Sequence, residues 1–154
     1  MKIIAIICVL GLTLGLFSSV LAQETARVAT ILELKGKVEV KTPKSAWMPA
    51  KQGMVLNPRD VIRTGKKSLA VLNLDGLGQT ATVEVQERSQ LQLTQLLENK
   101  QGMTQTTLLD LALGEILIKA KKLHSEKSRF EIKTPTSIVG VRGTTFSVAV
   151  EAVE

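Results

Sequence analysis

Few side chains in this sequence are of types that do chemistry, and the best placed is Arg142. It lies in residues 134–150, TPTSIVGVRGTTFSVAV, between Gly140 and Gly143. Two glycines let the backbone turn sharply on either side of the arginine, which aims one guanidinium at a defined place. Two readings of that guanidinium are open. It engages a carboxylate on a partner, or it ties loops together through an internal pair with Asp60 or Glu115, as a planar bidentate donor does well. Upstream, Pro135 fixes its own φ and disfavours helix at Thr134, so Thr134-Pro135 predicts an extended approach. Downstream, Phe146, Val148 and Val150 alternate on one side of a strand.

Other chemistries find no support. The one histidine, His124, sits among lysines with no acid and nucleophile at hand for a triad, so it reads as a solvated loop residue. One histidine and one cysteine, Cys8, do not make a usual zinc site. Asp60, Asp75 and Asp110 are scattered, and no glycine loop ends in the Lys-Ser/Thr of a phosphate-binding turn. No catalytic, metal or cofactor site is therefore expected, and no enzyme. The remaining surface feature is the basic stretch Lys119, Lys121, Lys122, Lys127 and Arg129. It suits a polyanion, such as an anionic glycan or lipid head groups, or it is a solvated hairpin tip.

The elements that must position these residues have a period of two. Val38 and Val40 alternate with charged neighbours. So do Ala70, Leu72 and Leu74; Val83 and Val85; Leu91 and Leu93; Leu109, Leu111 and Leu113; Ile116 and Ile118; and Phe130 and Ile132. These are short strands burying one face. Residues 108–122 contain good helix formers, but Gly114 with two-residue spacing on either side predicts two strands meeting at a bend. A short helical turn near Leu96 is a second expectation. Gly65 is expected to supply a positive φ after the strand that begins at Asp60. A weak repeat, G-x-[VI]-x-[VI]-K, occurs at Gly36 and again at Gly114. The expected fold is all-β: short strands in one twisted, irregular solenoid-like or sandwich-like domain.

The chain has 154 residues, 20 Lys and Arg against 14 Asp and Glu, and a net charge of +6. Residues 1–22 read as a signal peptide: Lys2, an apolar run, then Val20 and Ala22 at a cleavage site before Gln23. The alternative is an uncleaved anchor, since the apolar run nearly suffices to span a bilayer. Cleavage leaves residues 23–154 as one domain without cysteine, with no later membrane span, in the periplasm or otherwise outside the cytoplasm. Aromatics are scarce, with one Trp, three Phe and no Tyr, which argues against base stacking on nucleic acid and against sugar stacking. The basic balance then points to acidic protein surfaces, to anionic envelope polymers, or only to solubility.

The motifs occur in a recognisable order. Gly36-Lys37-Val38 is followed by Trp47, Ala50, Gly53, Leu56, Asp60, Ile62, Thr64 and Gly65, then by Ser68, Ala70, Leu72, Leu74 and Gly76. Leu111, Gly114 and Glu115 come next. Thr134, Pro135, Gly140, Val141, Arg142, Gly143, Thr144 and Phe146 close the series. Together these resemble the FecR domain family, over nearly all of residues 23–154. The register drifts only at Leu74-Asp75. The resemblance implies an interaction domain of the envelope. In regulators of this type, a periplasmic FecR domain receives a signal from an outer-membrane transporter, and a cytoplasmic helical domain controls a sigma factor. Only Met1 and Lys2 precede the apolar stretch here, and the sequence ends soon after Phe146. The expectation is a free-standing extracytoplasmic module without sigma-factor control, its partner an envelope protein or an anionic envelope polymer.

Overall fold

In the computed structural model, residues 23–75, 81–121 and 125–151 are described. The signal peptide, Gly76, Lys122 and His124 lie outside the described residues. The described residues form thirteen strands: β1 (Thr25–Ala26), β2 (Ala29–Lys35), β3 (Val38–Lys41), β4 (Met48–Pro49), β5 (Val55–Leu56), β6 (Val61–Thr64), β7 (Leu69–Leu74), β8 (Ala81–Val85), β9 (Gln90–Asn99), β10 (Thr104–Ala120), β11 (Arg129–Lys133), β12 (Ile138–Gly140) and β13 (Thr145–Val150). No helix occurs among the described residues. The expected all-β class holds, and the tract around Leu96 is strand throughout, with Leu96 fully buried. Leu91 and Leu93 face inward by alternation, and a register shift in the pairing with β10, between Leu108 and Leu109, brings Leu96, three residues on, to the same face.

The strands form one curled sheet in the order β4-β3-β6-β9-β10-β8-β7-β2-β5. Its hinge is β10. The first half of β10 pairs with β9 on one side and, in parallel, with β11 on the other. Its second half pairs with β8 and β13. The two limbs therefore share one strand and close on one core, in which Val40, Ile62, Leu91, Leu93, Leu109 and Ile132 meet Ile31, Leu72, Val83, Val85, Ile116 and Ile118.

The bend in β10 falls at Gly114, which has φ +90°. A register shift between Leu111 and Leu113 precedes it. That bulge reverses the alternation and leaves Leu113 38% exposed, against the inward position its spacing predicts.

The repeat at Gly36 and Gly114 has a structural counterpart. Both glycines have positive φ, and each is followed by an amide that donates to a buried serine hydroxyl. Lys37 N donates to Ser68 Oγ at 2.9 Å, and Glu115 N donates to Ser89 Oγ at 2.9 Å. The chain crosses between limbs at these points, and the corners stack. Gly65 N donates to Lys37 O, Arg88 N to Gly65 O, and Gln86 N to Glu115 O. The result is a column of four corners along one edge: Gly36-Lys37, residues 65–68, residues 86–89 and Gly114-Glu115. Gly65 itself does not have a positive φ; Lys67, two residues on, does, at 52°. The left-handed residue belongs at the third position of the turn, so the turn begins at Gly65 rather than bending there.

Candidate functional site

Residues 134–144 carry the chain from β11 to β12 and then across to the other limb. Thr134 N donates to Ser137 O at 2.8 Å, and Ser137 N donates to Thr134 Oγ1 at 3.0 Å. Thr134-Pro135 is thus the corner of a tight β11–β12 hairpin, not an extended approach. The buried threonine hydroxyl closes the turn, and Pro135 supplies a turn φ as readily as an extended one.

Past β12, Val141 turns into the core, and its amide donates to Phe130 O at 2.8 Å. Gly143 has φ +82°, and Thr144 O accepts from Ala120 N at 3.2 Å as β13 begins. Phe146, half-buried, packs on the core beyond. Of the two glycines around Arg142, only Gly143 uses a glycine conformation. Gly140 ends β12 at ordinary φ, with open space where a Cβ would stand.

Arg142 is held at the apex of this crossover and is exposed. Among the described residues it forms no ion pair. The internal partners expected for it are elsewhere. Asp60 is buried, and its Oδ2 accepts from Asn57 N at 2.8 Å, closing the turn that leads into β6. Glu115 is exposed in the corner column.

Instead, Arg142 lines an open groove of about 770 Å³ together with Gly140, Val141 and residues 126–131. Two features that the β11–β12 hairpin folds together meet here. Lys127 and Arg129 of the basic stretch stand on the groove with Arg142, and Glu126 and Glu131 stand among them. The floor is apolar, formed by Phe130 and Val141, each 4% exposed. The rest of the basic stretch does not join. Lys119 pairs with Glu84 at 2.6 Å on the β10–β8 face, and Lys121 is exposed beyond β10.

The remaining motif residues are architectural. Thr64 is buried; its hydroxyl donates to Gln86 O and accepts from Ser89 N at 3.0 Å, bracing two corners. Gly53 has φ +79° in the turn before β5. Trp47 lies flat under Arg63, with the guanidinium 3.9 Å from the ring centroid. Arg63 Nε donates to Glu39 Oε2 at 2.9 Å, and Lys37 stands 3.7 Å from the same oxygen.

The hydrogen bond from Arg63, helped by the charges of Arg63 and Lys37, holds the Glu39 carboxyl below the usual carboxylate range. A depressed pKa contributes stability above the ordinary value, and that stability is lost as pH falls through the folded value. NMR titration should place the Glu39 midpoint below about 4.3, the usual glutamate value, and Arg63→Gln should return it towards that value. An unshifted wild-type midpoint would contradict the pair.

One residue that sequence reasoning missed is Arg27, which is 6% exposed. Its guanidinium donates to Asp75 O at 2.7 Å, Thr107 Oγ1 at 2.6 Å, Leu97 O at 3.1 Å and Thr106 O at 3.2 Å. Burial pushes its pKa down, while the charges of Glu98 and Asp75 oppose that. It stays charged, as arginine does in proteins. A signal was present: Arg27 shares its two-residue phase with the inward-facing Ala29 and Ile31.

No group of three or more histidine, cysteine or acidic residues suited to a metal occurs among the described residues. No helix there is long and apolar enough to cross a membrane. Comparison with curated proteins and with solved structures gives no match. The family model described as FecR protein matches residues 60–153, which takes in the column corners from Gly65 onward, the β11–β12 hairpin and the Arg142 crossover. The chain belongs to the FecR protein family.

Proposed function

We propose that this FecR-family domain is a non-enzymatic interaction module of the cell envelope, exported from the cytoplasm, that relays or scaffolds by binding another envelope protein. The observation that carries this reading is the Arg142 groove. A motif arginine is spent on no internal pair among the described residues. It stands on a crossover tied by the Val141 amide and the Thr144 carbonyl, above Phe130 and Val141 and between charges of both signs. Mixed charge around a small apolar centre suits a protein surface, where orientation is set by complementary pairs.

A second reading, binding of an anionic envelope polymer in the same groove, draws on the convergence of Lys127, Arg129 and Arg142. Glu126 and Glu131 weigh against it.

The test is a crosslinked pull-down of the full chain, tagged after Glu154 and expressed in its native envelope, beside Arg142→Glu. One dominant envelope protein, retained by the wild type and reduced at least about tenfold by the charge reversal, is expected for a rim charge that orients a partner. Equal recovery with both chains would contradict the groove assignment. Recovery only of salt-removable polymer would favour the second reading.

A further inference from the structure

The corner column carries a second charged surface, away from the groove. Its first rung holds Lys35 and Lys37 on either side of Gly36. The second holds Lys66 and Lys67, and the third holds Arg88. All five side chains belong to exposed residues. Main-chain bonds between neighbouring corners fix the rungs in register, so they repeat at the strand spacing of about 4.8 Å. Three rungs therefore span about 10 Å, close to one Debye length at 0.1 M salt, and the cations act as one field.

Acids are unevenly placed. Glu39 engages Lys37 and Arg63. Glu87 stands on the third rung beside Arg88, and its carboxylate accepts the Lys67 backbone amide while keeping its charge. Glu115, at the far end of the column, and Glu151 share one recess with Glu87 and Arg88, so the cationic field is strongest over Lys35, Lys37, Lys66 and Lys67. Lys35, Lys66, Lys67 and Arg88 form no ion pair among the described residues.

Two of these cations occupy a costly backbone. Lys67 has φ 52° and Arg88 has φ 53°, the left-handed region where glycine or asparagine is more comfortable. The turn itself gives no reason for a long cationic side chain there. A left-handed third position does, however, push its side chain out at the tip of the corner.

We propose that the ridge formed by Lys35, Lys37, Lys66, Lys67 and Arg88 binds a linear polyanion, a polymer with phosphate or carboxylate groups at short repeat, laid across the rungs. The periodic cations meet a periodic ligand without needing aromatic stacking, which fits the scarcity of rings in this chain. The ridge uses no residue of the Arg142 groove, so each surface stands or falls by its own variants.

The probes are inorganic polyphosphate and polygalacturonate, titrated onto the purified chain from residue 23 at several salt concentrations. The variant is Lys66→Gln with Lys67→Asn, since asparagine accepts the left-handed backbone and both positions are exposed. A thermal midpoint at or above that of the wild type checks that it folds. Binding to one or both polymers should weaken by about thirtyfold, if each lysine contributes as one does at an anionic membrane surface. The slope of log affinity against log salt should fall by about two. Stronger binding of polyphosphate would identify phosphate as the ligand group, and stronger binding of polygalacturonate would identify carboxylate. No binding of either probe by the wild type would overturn the proposal. So would unchanged binding in the ridge variant, or a loss seen only in Arg129→Glu with Arg142→Glu.

Discussion

Gly114→Ala is expected to lower the melting temperature by about 10–20 °C or to prevent folding. A Cβ at this position would stand 2.5 Å from the Ser89 Cα and closer still to the Ser89 hydroxyl. The obstacle is backbone, held by hydrogen bonds on both sides. Ser89 N is fixed to Thr64 Oγ1, and Ser89 Oγ is fixed by Glu115 N. Neither side can give way without opening two corners. The φ of +90° adds its own penalty for any residue with a side chain. Overpacking and strain together amount to roughly 3–5 kcal/mol, a large part of a domain's whole stability. Gly53→Ala is the control. Its φ of +79° is similar, but nothing lies within 4 Å of the added carbon. That variant should lose only about 1 kcal/mol, the cost of the backbone region alone. Similar losses at the two glycines, measured by chemical denaturation, would show that the corner column is not packed as described.

Arg27→Met should also be damaging, by about 2–4 kcal/mol, the net of several acceptors left unpaired against the desolvation of a buried charge no longer incurred. The substitution keeps an unbranched apolar stem but removes four donated hydrogen bonds at once. Three carbonyls and the Thr107 hydroxyl then lose this donor in a place that water reaches poorly. The guanidinium joins the end of β7 to β9 and β10, so its loss loosens the edge opposite the corner column. Arg27→Lys should recover only part of the loss, because one ammonium cannot reach acceptors spread across a planar fork. A double-mutant cycle with Thr107→Val isolates one of the bonds and should show coupling of at least about 1 kcal/mol. Additive effects in that cycle, or a loss below about 1 kcal/mol for Arg27→Met, would contradict the network.

Much of this architecture was legible because strand alternation is a local signal. Ala70, Leu72 and Leu74, or Ile116 and Ile118, announce their inward face within a few residues, and the structure buries them all. The bend at Gly114 was legible for the same reason, since spacing on each side of the glycine stayed at two. The corner column was half legible. Its glycines repeat in the sequence, but the serines behind them, Ser68 and Ser89, come from other turns and only strand register brings them there. Leu113 was misplaced because a bulge reverses alternation without changing residue type.

The candidate site was less legible. Arg142 stood out by its glycines, and the basic stretch stood out by its charge. Neither feature by itself says that Lys127 and Arg129 sit beside Arg142 while Lys119 turns to Glu84 on another face. The first depends on the Thr134–Ser137 turn, which folds β12 back on β11 with Gly140 opposite Glu131 and which the extended reading of Thr134-Pro135 missed; the second depends on β10 pairing with β8. The internal pairs expected for Arg142 failed for a related reason. Asp60 was already committed to Asn57, three residues away in its own turn.

The central claim is that the Arg142 crossover faces a protein partner in the envelope. The most direct measurement is photocrosslinking from that position. A benzophenone side chain replaces Arg142 in one strain and exposed Lys44, on a different loop, in another. Adducts are identified by mass spectrometry in the native envelope, which also reports the first residue of the chain. A single dominant envelope protein captured from position 142 and not from position 44, on a chain beginning at Gln23, is the predicted result. No protein adduct from position 142, or the same adducts from both positions, would contradict it.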